Sequence, residues 1–67
     1  MVRWWLIDKR KQQGSKQKEV AERVGISQPS YCNIEKGKTN PTVETAKRIA
    51  AVLEVDWTSF FEDKNSG

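Results

Sequence analysis

Histidine is absent from this sequence, and cysteine occurs once, as Cys32. Those two facts exclude a structural zinc site and a disulfide framework. Without histidine and with one thiol, most hydrolytic constellations are excluded as well, and no enzyme activity or cofactor is expected. Long apolar runs are missing too. The longest covers the five residues 49–53, far short of the ~20 residues that span a bilayer. The N-terminus has neither the apolar stretch nor the small-residue cleavage site of a secretory signal, and a lone thiol suits a reducing compartment, so a cytoplasmic location and no membrane partner are expected. Proline stands only at 29 and 41, and no alternation of β-branched residues marks a strand, which leaves helices. A chain of 67 residues is one small domain. It buries roughly 60% of its unfolded surface and builds a core worth about 3 to 5 kcal/mol, with no depth for a small-molecule pocket.

What the sequence has in quantity is charge, unevenly placed. Residues 1–40 carry nine Lys/Arg against four acids, and residues 41–67 carry three against five. A basic N-terminal part suits a polyanion, although a charge-rich surface also serves solubility alone.

The punctuation predicts an all-α chain of five short helices. The first covers about residues 2–12, with Val2, Trp5, Leu6 and Lys9/Arg10 on one face and Gly14 just past its end. The second covers 17–24, where Val20, Ala21 and Val24 fall together, and Gly25-Ile26-Ser27 makes a turn too tight for anything but a steep crossing. The third covers 28–36 and is capped by Ser27. Its wheel places Gln28, Pro29, Cys32, Asn33 and Lys36 on one polar or small arc. Ser30, Tyr31 and Ile34 lie on the core side, with Glu35 between the faces. Gln and Asn amides on an exposed helix face are the side chains that read base edges in a major groove. The fourth helix covers about 43–54 with Thr42 as N-cap, and the fifth follows Asp56 with Trp57, Phe60 and Phe61. Residues 62–67 read as a polar, frayed tail behind a domain of residues 1–61.

The run Gln17-Lys18-Glu19-Val20-Ala21-Glu22-Arg23-Val24-Gly25-Ile26-Ser27-Gln28, followed by Ile34-Glu35-Lys36-Gly37-Lys38 and then Asn40-Pro41, resembles the lambda-repressor-like (Cro-type, XRE) family of helix-turn-helix regulators. The likeness extends over about residues 3–61. It implies a compact five-helix domain whose helices 2 and 3 form the helix-turn-helix. It also implies a sequence-specific regulator of double-stranded DNA, bacterial or phage-encoded and acting as a repressor, which binds a near-palindromic operator as a homodimer. On this resemblance Gln28, Pro29, Cys32 and Asn33 face bases. Lys16, Gln17, Ser27, Ser30, Lys36, Lys38, Thr39 and Asn40 face phosphates. Arg10 and Glu35 form a partly buried ion pair between helices 1 and 3, and Asp56 and Trp57 touch the second copy.

The sequence departs from the family pattern at four places, the smallest being Glu54, which stands where glycine commonly ends helix 4. Lys16 stands where a capping Thr or Ser is usual, so either Ser15 takes that role or helix 2 starts uncapped at a cost of about 1 kcal/mol. Gln13 and Ser15 stand where apolar residues are usual, and Trp4 and Trp5 are the candidates to fill the seam. Pro29 restrains Gln28 away from the α region, which predicts Gln28 half outside helix 3. Plainer readings stand beside several assignments. Cys32 is a small tolerated side chain rather than a redox sensor, Gln28 and Asn33 without the motif are solvated helix positions, and Trp57 is core rather than interface. The rival function is an antitoxin-like or anti-repressor module that binds a protein, with DNA secondary.

Overall fold

A computed structural model describes residues 1–61, so the expected tail of residues 62–67 lies outside the described residues. The chain forms α1 (Trp4–Gln12), α2 (Gln17–Val24), α3 (Gln28–Lys36) and α4 (Val43–Leu53), then a single 3-10 turn (Trp57–Phe60). Among the described residues there is no strand, and no helix is long and apolar enough to cross a membrane. α2 packs on α3 and α4, the 3-10 turn packs on α4, and α1 lies against α3. One core results, built from Leu6, Val20, Ala21, Val24, Tyr31, Ile34, Ala46, Ile49, Leu53 and Phe60.

Among the described residues the four-helix count corrects the expected five. After Asp56 the residues Thr58 and Ser59 are weak helix formers. The Asp56 carboxylate also takes both the Thr58 amide (3.0 Å) and the Thr58 hydroxyl (2.7 Å). That local pairing competes with a regular helix, and Ser59 N–H closes back on the Asp56 carbonyl at 3.0 Å, a tighter i to i+3 bond. Phe60 is buried by this turn. The two hydrogen bonds from Thr58 also hold the Asp56 carboxyl below its ordinary range.

Helix 1 starts two residues later than expected, at Trp4. Arg3 donates its amide to the Glu35 carbonyl at 2.8 Å, which pins the chain before Trp4 against the end of α3 and leaves no helical geometry for Val2. Of the expected apolar face only Leu6 is buried in α1, and Trp5 lies edge-on to Phe60 with centroids 5.1 Å apart. Trp4 is 68% exposed and fills nothing. Instead Gln13, one of the unexpected polar residues, donates Nε2 to the Leu53 carbonyl at 2.9 Å and ties the end of α1 to the end of α4.

At the start of α2 the N-cap residue is Lys16, whose side chain has no acceptor. Compensation comes from the other direction, because the Glu19 carboxylate accepts the Lys16 amide at 2.9 Å. Ser15 takes no capping role; its amide bonds the Arg10 carbonyl at 3.2 Å.

Helix 4 ends at Leu53, and Glu54 takes the left-handed C-cap position (φ 58°, ψ 48°) instead of extending the helix. It is the one non-glycine with positive φ among the described residues. A side chain there costs about 1 to 2 kcal/mol, whereas glycine gives back about 0.5 to 1 through its freer unfolded state. Glu54→Gly is therefore expected to stabilise the fold by about 0.5 to 1 kcal/mol. Urea unfolding checks this: the midpoint rises at unchanged slope, and a lowered midpoint would show that the carboxylate itself stabilises the cap.

Candidate nucleic-acid interface

The helix-turn-helix is built by a glycine and a serine. Gly25 adopts φ 90°, its amide returning to the Ala21 carbonyl at 2.8 Å, and half-buried Ile26 packs against the core. Ser27 then caps α3, accepting the Ser30 amide at 3.2 Å. Pro29 occupies a position in the first turn of α3 that needs no amide hydrogen. Gln28 is accordingly inside the helix as its first residue, not half outside it as its proline neighbour suggested.

Along α3 the buried residues are Tyr31, Ile34 and Glu35. Gln28, Pro29, Ser30 and Lys36 are exposed, and Cys32 and Asn33 are half-buried. Two expectations are corrected. Ser30 does not serve the core: its hydroxyl oxygen accepts from the Ser27 hydroxyl at 2.9 Å, so its own hydrogen stays available at the surface. Glu35 does not lie between faces, for it is 1% exposed.

A buried carboxylate needs partners, since an uncompensated charge in the interior is costly. Glu35 Oε2 accepts Arg10 Nε at 2.6 Å, and Oε1 accepts Arg10 Nη2 at 3.3 Å and Gln17 Nε2 at 2.8 Å. Arg10 Nη1 also reaches the Ser15 carbonyl at 3.0 Å. One carboxylate thus ties α1, α2 and α3 together. The hydrogen bond to Glu35 raises the Arg10 guanidinium above its ordinary value. Tyr31 lies beside the pair with its hydroxyl buried and in no hydrogen bond of ordinary geometry. Burial, then the nearby Glu35, push that hydroxyl well above the usual phenol range. For Gln17 the consequence is a fixed orientation: one Nε2 hydrogen is used on Glu35, and one remains to donate.

Beyond α3 the chain turns through Gly37 (φ 76°), where a Cβ would collide with the backbone carbonyl of Met1. Lys38 N–H bonds the Asn33 carbonyl at 2.9 Å and closes the helix end. Lys36, Lys38, Thr39 and Asn40 are exposed around this turn, and the following Pro41 is buried. Lys16 is exposed at the start of α2. Sequence reasoning missed Arg3, whose guanidinium grips this loop: Nη1 donates to the Ile34 carbonyl at 2.6 Å and the Thr39 carbonyl at 3.2 Å, and Nη2 donates to Asn40 Oδ1. Arg3 has no periodic relation to residues 34–40, so no pattern in the sequence marks it.

The positions expected at a second copy lie elsewhere. Asp56 is exposed but its carboxylate is engaged by Thr58. Trp57 is half-exposed, with Lys47 Nζ 5.0 Å from its ring centroid and Phe61 edge-on at 6.1 Å.

Comparison with known proteins gives a helix-turn-helix family profile that matches residues 6–60. The chain is 43% identical over 63 residues to an uncharacterized HTH-type transcriptional regulator, YqaF, of Bacillus subtilis, covering 94% of this chain and 83% of that protein. It is 39% identical over 49 residues to the ImmF control region 10 kDa protein of Bacillus phage phi105, covering 73% of this chain and 54% of that one. With the HTH-type transcriptional regulator SinR of Bacillus subtilis it shares 30% over 57 residues, 84% of this chain and 51% of the other. The chain therefore spans about half the length of the latter two. No solved structure matches.

Proposed function

The chain belongs to the helix-turn-helix family, and from that premise we propose that it is a DNA-binding transcriptional repressor that reads the major groove with α3. The observation that carries this reading is the exposed start of α3. Gln28, Pro29 and Ser30 stand in solvent on a capped helix end, with cationic Lys36 and Lys38 at its other end. Amides that accept and donate read base edges, whereas cations, hydroxyls and backbone amides hold phosphates. Gln28, Pro29, Cys32 and Asn33 are the base-facing set in this proposal, Pro29 through its ring carbons. Lys16, Gln17, Ser27, Ser30, Lys36, Lys38, Thr39 and Asn40 form the backbone-facing set. Because the Ser27 hydroxyl is committed to Ser30, its share falls to main-chain groups.

A single module of this size buries only about 600 to 1,000 Å² on DNA, so useful specificity calls for a second copy. We infer a homodimer on a near-palindrome with half-site centres roughly 10 base pairs apart, joined around Asp56 and Trp57. The half-exposed indole of Trp57 beside exposed Phe61 supports that surface.

Selection from a random duplex library at about 150 mM salt tests the proposal, because at that salt non-specific binding is weak. An enriched two-fold-symmetric motif supports it. With the motif in hand, Gln28→Ala is expected to remove about 1 to 3 kcal/mol of discrimination at one base position, and Lys38→Ala to weaken all sequences alike and flatten the salt dependence. An equal loss on every sequence for Gln28→Ala would refute its base-reading role. Trp4, 68% exposed, favours a second reading, the antitoxin-like or anti-repressor module, and a pool held only at low salt with no motif would select it.

A further inference from the structure

Asn40 stands at the phosphate-facing edge, yet an asparagine side chain there is ambivalent. Its carboxamide offers a donor nitrogen and an acceptor oxygen of nearly the same shape, and a phosphate accepts only. With the oxygen outward the residue repels the DNA backbone, and with the nitrogen outward it binds. Something must choose.

Arg3 is placed to choose. Its guanidinium carries five donors and no acceptor, so the Asn40 atom that meets Nη2 is necessarily the oxygen, Oδ1. The same guanidinium holds the Thr39 carbonyl at 3.2 Å and the Ile34 carbonyl at 2.6 Å, and its Cζ lies 5.4 Å from the Phe60 ring centroid. Its own amide is fixed on the Glu35 carbonyl at 2.8 Å. With both terminal nitrogens on protein oxygens and the cation against an aromatic ring, three of the five Arg3 donors are spent within the protein. Asn40 is exposed, and among the described residues its Nδ2 donates to no protein group.

We propose that Arg3 is a positioning residue for DNA-backbone binding, which locks the Asn40 carboxamide with its Nδ2 hydrogens toward the phosphate. The proposal rests on the reading that the loop of residues 37–40 faces DNA. A lysine at position 3 keeps the charge but loses the planar fork, so Arg3→Lys releases Asn40 while leaving the net charge unchanged.

The test uses the full chain and a random-sequence duplex about two helical turns long, since backbone contacts carry no sequence. Asn40→Ala is expected to weaken binding by about five-fold, Arg3→Lys by a similar factor, and the double variant by no more than either alone, because one contact is lost three ways. Multiplying losses, or an unchanged affinity for Arg3→Lys, would overturn the proposal. Lys38→Ala separates the two levels. If it leaves binding intact, the loop does not face DNA and the underlying reading fails; if it weakens binding while the other two losses multiply, only the positioning role fails. Should Arg3→Lys unfold, side-chain NMR of the unaltered protein decides. On adding the duplex the Asn40 Nδ2 resonances are expected to shift while those of the Arg3 guanidinium hold still, and a shift of Arg3 with Asn40 unmoved would make Arg3 the ligand and refute the assignment.

Discussion

Replacing Arg10 by methionine is expected to cost about 3 to 5 kcal/mol, which for a domain with a total stability of about 3 to 5 kcal/mol leaves folded and unfolded chains in comparable amounts at 25 °C. The cause is less the loss of an attraction than the stranding of a charge. Glu35 is 1% exposed and takes two of its three side-chain hydrogen bonds from Arg10. The Gln17 amide that remains is a neutral donor, and the buried Tyr31 hydroxyl lies near without replacing the lost cation. Glu35→Gln in the Arg10→Met background removes the stranded charge and is expected to recover part of the stability. Circular dichroism during urea unfolding checks this. An Arg10→Met protein within about 1 kcal/mol of the parent, the range of an exposed pair, would show that Glu35 finds solvent.

The network also limits what this surface can do, because one hydrogen of the Gln17 amide is spent on Glu35. Gln17 is oriented by Glu35, and two of the three hydrogen bonds that hold Glu35 come from Arg10. The phosphate role proposed for Gln17 thus depends on an ion pair that never touches DNA. Loss of DNA binding in an Arg10 variant accordingly reports on the fold, whereas loss in Lys38→Ala, at an exposed position, reports on the surface.

The parts of the fold that local chemistry controls were legible in the sequence. The bounds of α2 and α3, the Ser27 and Thr42 caps, and the turn through left-handed Gly25 follow from residues acting on neighbours within one helical turn. What could not be read depends on partners far along the chain. Gln13 looks like a misplaced polar residue until the Leu53 carbonyl, 40 positions away, is seen to take its amide. Arg3 acts across 31 to 37 positions. The 3-10 turn was missed for another reason, and Glu54, although it stands where glycine commonly ends helix 4, reads as a helix residue. Each sits where two local preferences compete, a helix former at a helix end in one case and an aspartate pairing with threonine in the other. For the candidate site, helix periodicity gave the arc of α3. Which way Gln17 and Asn40 turn their amides required their partners Glu35 and Arg3, 18 and 37 positions away.

Leu6→Ala is the second large perturbation, expected to cost about 2 to 5 kcal/mol. Leu6 is the only residue of α1 counted as buried, at 0% exposure. Alanine is the better helix former, but that gain is only a few tenths of a kcal/mol and does not offset a lost isobutyl group. Without Leu6, the ties of α1 to the rest of the domain are the Arg10 ion pair, the Trp5 contact with Phe60, the Gln13 bond to Leu53 and the Arg3 clamp. Those polar ties are directional and depend on α1 already lying in place, so they weaken together once the apolar anchor is gone. The loss is therefore expected to be uneven. Amide exchange in α1 should accelerate first, at denaturant levels where α2 and α4, still joined through Val20, Val24, Ala46 and Ile49, remain protected. Hydrogen exchange resolved by residue distinguishes this from simple global weakening. Equal acceleration in all four helices would show that α1 is inseparable from the core, and that its three-way ion pair contributes to cooperativity as much as Leu6 does.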